Sequence, residues 1–142
     1  MRILCLDIGD KRIGVAVSDE DKMLARGIGN IVKDGSEVKK ICGLVEEYGA
    51  ESIVYGLPLR MDGSMSGQTE KSSAFISVLR QHVPVPCIPF DERLSSKQAD
   101  SILIEADMSR KKRKKLIDKL AAQIILQNYL DSKREFGEEE DI

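Results

Sequence analysis

Residues 2–19 read Arg2-Ile3-Leu4-Cys5-Leu6-Asp7-Ile8-Gly9-Asp10-Lys11-Arg12-Ile13-Gly14-Val15-Ala16-Val17-Ser18-Asp19. Two apolar runs, 2–7 and 13–18, flank a short connector rich in turn formers, Gly9-Asp10-Lys11-Arg12. Runs this short, bounded by glycine and charge, predict two strands joined as an antiparallel hairpin. A third strand over about 23–33 follows the connector Asp19-Glu20-Asp21. The first run ends on Asp7, a carboxylate at the margin of a core strand, and burying one costs heavily unless it is paired or binds a cation.

Beyond the hairpins the period changes. Val38, Ile41, Cys42, Leu44 and Val45 recur at helical spacing over 36–48, with Ser36 as the expected N-cap and Gly49 as the stop. Ser52-Ile53-Val54-Tyr55 predicts a short buried strand ending in Gly56-Leu57-Pro58. A loop rich in Gly, Ser and Met, Arg60 to Gly67, leads to a helix over about 67–81. Val85 to Phe90 predicts the fifth strand. Its Pro84, Pro86 and Pro89 argue for a sheet edge, because proline donates no ladder bond. Helices over about 95–106 and 111–133 complete the pattern, and the acidic tail, 136–142, is expected to be disordered.

Three hairpin strands followed by α-β-α-β-α predict an α/β fold. Its five-stranded mixed sheet has three antiparallel and two parallel strands, with helices on both faces, in one domain over 1–135. Ligands of such sheets sit beyond the carboxyl ends of the parallel strands, where Asp7, Gly56 and Glu92 fall.

Composition narrows the chemistry. The 142 residues, 42% hydrophobic and 32% charged, suit a soluble globular chain with a sizeable core. The three cysteines, Cys5, Cys42 and Cys87, lack C-x-x-C spacing and read as reduced packing residues. With no signal peptide and no apolar run of membrane-spanning length, the expected location is the cytoplasm, without a membrane partner. His82 is the single histidine and stands at a helix end, which disfavours triad chemistry and imidazole-bound zinc. Hydrolysis here would use hard cations on oxygen ligands. Asp7, the pair Asp91-Glu92 and Asp118 are the candidate ligands, from elements far apart in sequence.

The net charge of −2 conceals an unbroken cationic run, Arg110-Lys111-Lys112-Arg113-Lys114-Lys115, opening the last helix. Cations are disfavoured at a helix N-terminus by the macrodipole, so phosphate contact is the expected reason for the run. Lys11 and Arg12, at the hairpin tip, are a second candidate phosphate contact.

Four segments in order carry a family resemblance: Leu6 to Asp19 as quoted, Gly56-Leu57-Pro58-Leu59-Arg60-Met61-Asp62-Gly63, Asp91-Glu92-Arg93-Leu94-Ser95-Ser96 and Ile117-Asp118-Lys119-Leu120-Ala121-Ala122. Together they resemble the YqgF/RuvX family, RNase H-like proteins described as Holliday junction resolvases and as pre-16S rRNA nucleases. The resemblance implies an RNase H-like fold and a metal-dependent nuclease acting at the 5′ end of pre-16S rRNA. It implies a catalytic, metal-binding triad of Asp7, Glu92 and Asp118, holding Mg²⁺ or Mn²⁺, two ions in the full site. Asp91 is the rival to Glu92, because adjacent strand residues point to opposite faces. Lys11, Arg12, Arg60, Arg93, Arg110, Lys111, Lys112, Arg113 and Lys114 are the expected substrate contacts, with RNA favoured over DNA and the chain a monomer or weak homodimer. Arg60 stands where the family more often has Asn. Resolvases of the RuvC type carry two acids three residues apart on the last helix, whereas Asp118 is followed at that spacing by Ala121. The alternatives are junction resolution on DNA and a non-catalytic nucleic-acid-binding module, which would keep the basic run and need none of the carboxylates.

Overall fold

The structure, a computed structural model, describes residues 1–57, 67–91 and 110–136, without the side chains of 68, 110–119 and 134–136. The strands are β1 (Arg2–Ile8), β2 (Arg12–Ser18), β3 (Ala25–Val32), β4 (Ala50–Leu57) and β5 (Cys87–Asp91). The described helices are α1 (Glu37–Tyr48), α2 (Gly67–Arg80) and α3 (Arg110–Phe136). The expected helix over 95–106 and the tail after 136 lie outside the described residues.

The sheet order is β3-β2-β1-β4-β5. β1–β2 and β2–β3 pair antiparallel, and β1–β4 and β4–β5 pair parallel. The five-stranded mixed sheet is therefore the one expected, and β5 occupies an edge, where Pro89 leaves no ladder bond unmade. Of the boundaries that differ from the sequence pattern, two have a cause in the pairing. β4 runs from Ala50, since parallel pairing with β1 starts at Arg2↔Ala50 and extends the ladder past the apolar run. β5 begins at Cys87, and the Pro86 carbonyl instead accepts the Ile53 N–H at 2.9 Å.

Alternation along the strands divides the core in two. Leu4, Leu6, Ile13, Val15, Ile53 and Tyr55 face Ile41 and Val45 of α1 and Ile76 and Leu79 of α2. Ile3, Cys5, Ala16 and Val54 face Ala122, Ile125, Leu126, Tyr129 and Leu130 of α3. Helices cover both faces. Each fully buried Leu or Ile contributes about 1.5–3 kcal/mol relative to exposure. Cys5 and Cys87 are buried free thiols within these clusters, as expected of packing cysteines. Burial pushes the Cys87 thiol up, partly offset by the Arg80 guanidinium.

Helix α1 ends where Gly49 adopts φ +61° and donates to the Glu46 carbonyl. Only glycine takes that conformation without a Cβ penalty. Ser36 occupies the N-cap position but makes no side-chain cap bond. Its hydroxyl donates to Asp34 Oδ1, and this bond, the Ser36 N–H and then Lys40 hold the Asp34 carboxyl below its ordinary value. His82 is exposed and its Nδ1 lies 3.0 Å from the Val78 carbonyl, closing the C-terminus of α2. No helix among the described residues is long and apolar enough to cross a membrane.

Candidate active site at the carboxyl end of the central strand

Asp7 is the penultimate residue of β1, not its last, and is half-buried. It follows Ile3 and Cys5 in alternation, so it stands on the face that α3 covers. Register fixes its neighbours. Asp7 pairs with Gly14 of β2, and Gly14 with Asn30 of β3. Leu6 pairs with Tyr55, so the next residue of β4, Gly56, lies beside Asp7, and Gly56 pairs with Phe90 of β5. One row of the sheet thus reads Asn30, Gly14, Asp7, Gly56, Phe90. The carboxylate has a glycine on each side, and neither strand puts a side chain against it.

The turn before β2 is tight. Gly9 N–H donates to the Arg12 carbonyl at 2.9 Å, and a Cβ at Gly9 would come within 2.9 Å of that same oxygen. A side chain there would clash with backbone, which accounts for glycine at this position. Arg12 alternates with Gly14 and Ala16 and shares the Asp7 face, whereas Lys11 belongs to the turn itself and is exposed.

Helix α3 is registered against this row by two glutamines. Gln127 Oε1 accepts the Ala25 N–H at 2.9 Å, and Gln123 Oε1 accepts the Gly27 N–H at 3.0 Å. These bonds satisfy donors of the edge strand β3 and set α3 antiparallel to it. Four helix residues rise about 6 Å, and two strand residues span about 6.6 Å, so helix and strand stay in step. A bulge takes up Ile28, because Ala16 pairs with Gly27 and Val15 with Gly29. One helical turn before Gln123, the backbone at 118–119 therefore comes level with Asn30, Gly14 and Asp7. Position 118 precedes the buried Ala122 by one helical turn. Ala121 and Ala122 are fully buried, so small side chains allow the helix its approach to the sheet. No carboxylate stands at 121.

Asp91 closes β5 and pairs with Leu57. Cys87 and Tyr55 lie in the α1 and α2 cluster, while Ile88 and Phe90 pack against the α3 cluster. Alternation puts Asp91 on the face opposite Asp7. Glu92, Arg93 and Arg60 lie outside the described residues, as do the side chains of Asp118 and of Arg110, Lys111, Lys112, Arg113 and Lys114. The run does open α3, whose first turn carries no acid. Among the described residues no three His, Cys, Asp or Glu side chains gather to hold a metal. The structure thus brings Asp7 and the backbone of 118 to one level and removes Asp91 from that face. Sequence reading missed Asn30 and the Gln123–Gln127 clamp; the i, i+4 spacing of two amides on the last helix was the only signal.

Similarity to known proteins fits this geometry. The family model described as "RuvX: Holliday junction resolvase" matches residues 1–132. A Geobacillus kaustophilus protein named "Putative pre-16S rRNA nuclease" is 46% identical over 138 residues, covering 94% of this chain and 100% of its own length. A protein of the same name from Caldanaerobacter subterraneus is 50% identical over 137 residues, covering 94% of this chain and 99% of its own. Among solved structures, RuvC of T. thermophilus in complex with a Holliday junction substrate superposes with a TM-score of 0.54 at 16% identity, covering 94% of this chain and 96% of that one. The Fowlpox virus resolvase in complex with junction DNA gives a TM-score of 0.57 at 16% identity, covering 93% and 98%. At that identity the two structures share the fold.

Proposed function

This chain belongs to the RuvX family, and from that premise we propose that it is a metal-dependent nuclease that processes the 5′ end of pre-16S rRNA. The observation that carries the reading is Asp7, a carboxylate held on a core strand between Gly14 and Gly56, facing the helix that bears Asp118. A strand carboxylate with glycine on both sides has room for a cation and for a phosphate backbone against the sheet.

Asp7, Glu92 and Asp118 would hold Mg²⁺ or Mn²⁺. Their all-oxygen donor set suits hard cations, and the thiol on this face, Cys5, is sealed in the core. Two such ions held by these residues would supply an activated water for attack on phosphorus and would neutralise charge on the leaving oxygen. Glu92 is the second acid because Asp91 belongs to the other face of the sheet. His82 caps α2, so no imidazole base is needed or supplied. Arg12, one strand step beyond the Asp7 row on the same face, contacts a phosphate. Lys11, Arg60, Arg93 and the run from Arg110 to Lys114 extend the cationic path along the strand.

The test is cleavage of a labelled pre-16S rRNA fragment, a generic single-stranded RNA and a four-way DNA junction, each with Mg²⁺, Mn²⁺ or chelator. Metal-dependent cutting of the rRNA fragment is expected. Cutting confined to the junction would make the chain a resolvase, and binding without cutting in any metal would make it a non-catalytic module.

A further inference from the structure

An open groove of about 390 Å³ lies between α1 and the edge strand β3, on the sheet face away from Asp7. Its floor is apolar, with Ile28 and Ile31 of β3 and Val15 of β2. Its helical wall is one stripe of α1: Lys40, Gly43, Leu44 and Glu47. Gly43 is exposed, and a Cβ built there meets nothing within 4 Å.

The stripe is self-complementary. Reversed end for end about the point between residues 43 and 44, Lys40 exchanges with Glu47 and Gly43 with Leu44. An antiparallel copy of α1 would set Lys40 against Glu47 twice and each Leu44 over the bare backbone of the other Gly43. Such reciprocity is what a two-fold, isologous interface requires. Lys39 and Glu46, also exposed, extend the same polarity.

Among the described residues, little within the chain explains the charge order of α1. Lys39 and Lys40 fall in the first turn, Glu46 and Glu47 in the last, and the last turn carries no cation. These four charges oppose the macrodipole, which Glu37 in the first turn favours. The residues four positions after Lys39 and Lys40 are Gly43 and Leu44, so neither lysine has the i+4 acid that stabilises isolated helices. Among the described residues, Lys40 reaches only Asp34, at 3.7 Å between half-exposed groups.

We infer that this face binds a second copy of the chain, as a two-fold dimer formed by antiparallel α1 helices. The contact is small and its ion pairs are exposed, so the dimer is weak and concentration-dependent. Because Asp7 stands on the other face of the sheet, both copies keep that end of β1 open.

Sedimentation velocity from micromolar to millimolar chain, at low salt, tests the inference. The wild type should show reversible dimerisation. Lys40→Glu and Glu47→Lys should each weaken it by about tenfold, because two attractions become two repulsions. Mixing the two single variants should restore association as a heterodimer, since every 40–47 pair across the interface is then opposite in charge. Gly43→Gln should melt no lower than wild type, having gained helix propensity, while losing the dimer. A wild type that stays monomeric throughout, single variants that dimerise undiminished, a mixture that does not associate, or a dimeric Gly43→Gln would each overturn the inference.

Discussion

At the scale of the residue, Asp7 is defined as much by its neighbours as by itself. The strand supplies direction, the glycines supply space, and the carboxylate supplies charge. Replacing it by Asn keeps shape and removes charge, so Asp7→Asn should lower the cleavage rate by about a hundredfold or more, ~2.7 kcal/mol in the barrier. Substrate affinity, which the proposed function assigns to the cationic residues, should remain. Single-turnover cleavage and filter binding in Mn²⁺ measure both; a rate within tenfold of wild type would take Asp7 out of the reaction. The place of Asp7 on a core strand was legible in the sequence, because a charge closing an apolar run stands out. The choice between Asp91 and Glu92 was not, since alternation says only that adjacent strand residues differ in face, and the register of β5 on β4 is needed to put Asp91 on the face opposite Asp7. Ser36 shows the converse limit, because the sequence pattern offers it as a cap and does not reveal that its hydroxyl donates back to Asp34.

At the scale of the element, α3 carries the account, and its packing is testable. Ala122 is fully buried against Cys5, Ala16 and Val54. Ala122→Leu should cost about 1–3 kcal/mol in urea unfolding by overpacking. It should also slow cleavage by lifting the turn that bears Asp118, and activity at wild-type level would dissociate that turn from the site. The basic run makes a separate prediction. Neutralising Lys111, Lys112 and Lys114 should weaken binding of all sequences alike, and reduce the slope of log K against log salt by roughly 0.7 per lost contact for single-stranded RNA. An unchanged slope would mean those side chains are merely solvated. The β2–β3 connector gives a pH test. Asp19 Oδ1 accepts the Met23 N–H at 2.8 Å and the Leu24 N–H at 3.2 Å, and these bonds hold its carboxyl below the ordinary 3.8. A depressed acid stabilises the fold above its ordinary value, and that contribution fades as pH falls from there through the folded value. Amide exchange at Met23 and Leu24 should therefore lose protection below about pH 4, and Asp19→Asn should show no such step. Helices and strands were legible from periodicity, and the edge place of β5 from its prolines. The antiparallel seating of α3 was not, because it depends on Gln123 and Gln127 reaching backbone donors about a hundred residues away.

At the scale of the whole molecule, the fold follows from two hairpins and two parallel crossovers, and the order of strands and helices made that much readable without coordinates. Function was readable only through the four family segments. Charge, periodicity and spacing favour a cation site and phosphate contacts but do not choose between RNA and DNA, since the backbone phosphates of the two are alike. The central claim is that acids from β1, the segment after β5, and α3 form one cation site, and global stability reports on it. Without metal, three converging carboxylates repel one another, each close pair by on the order of 1 kcal/mol. With metal, a site filled to a hundred times its Kd gains about 2.7 kcal/mol. The decisive measurement is urea unfolding of wild type and Asp118→Asn, with chelator and with millimolar Mg²⁺ or Mn²⁺. Asp118→Asn should be more stable than wild type in chelator, by about 1 kcal/mol, and should gain less from metal. An Asp118→Asn variant that is less stable in chelator and gains as much from metal as wild type would contradict the shared site.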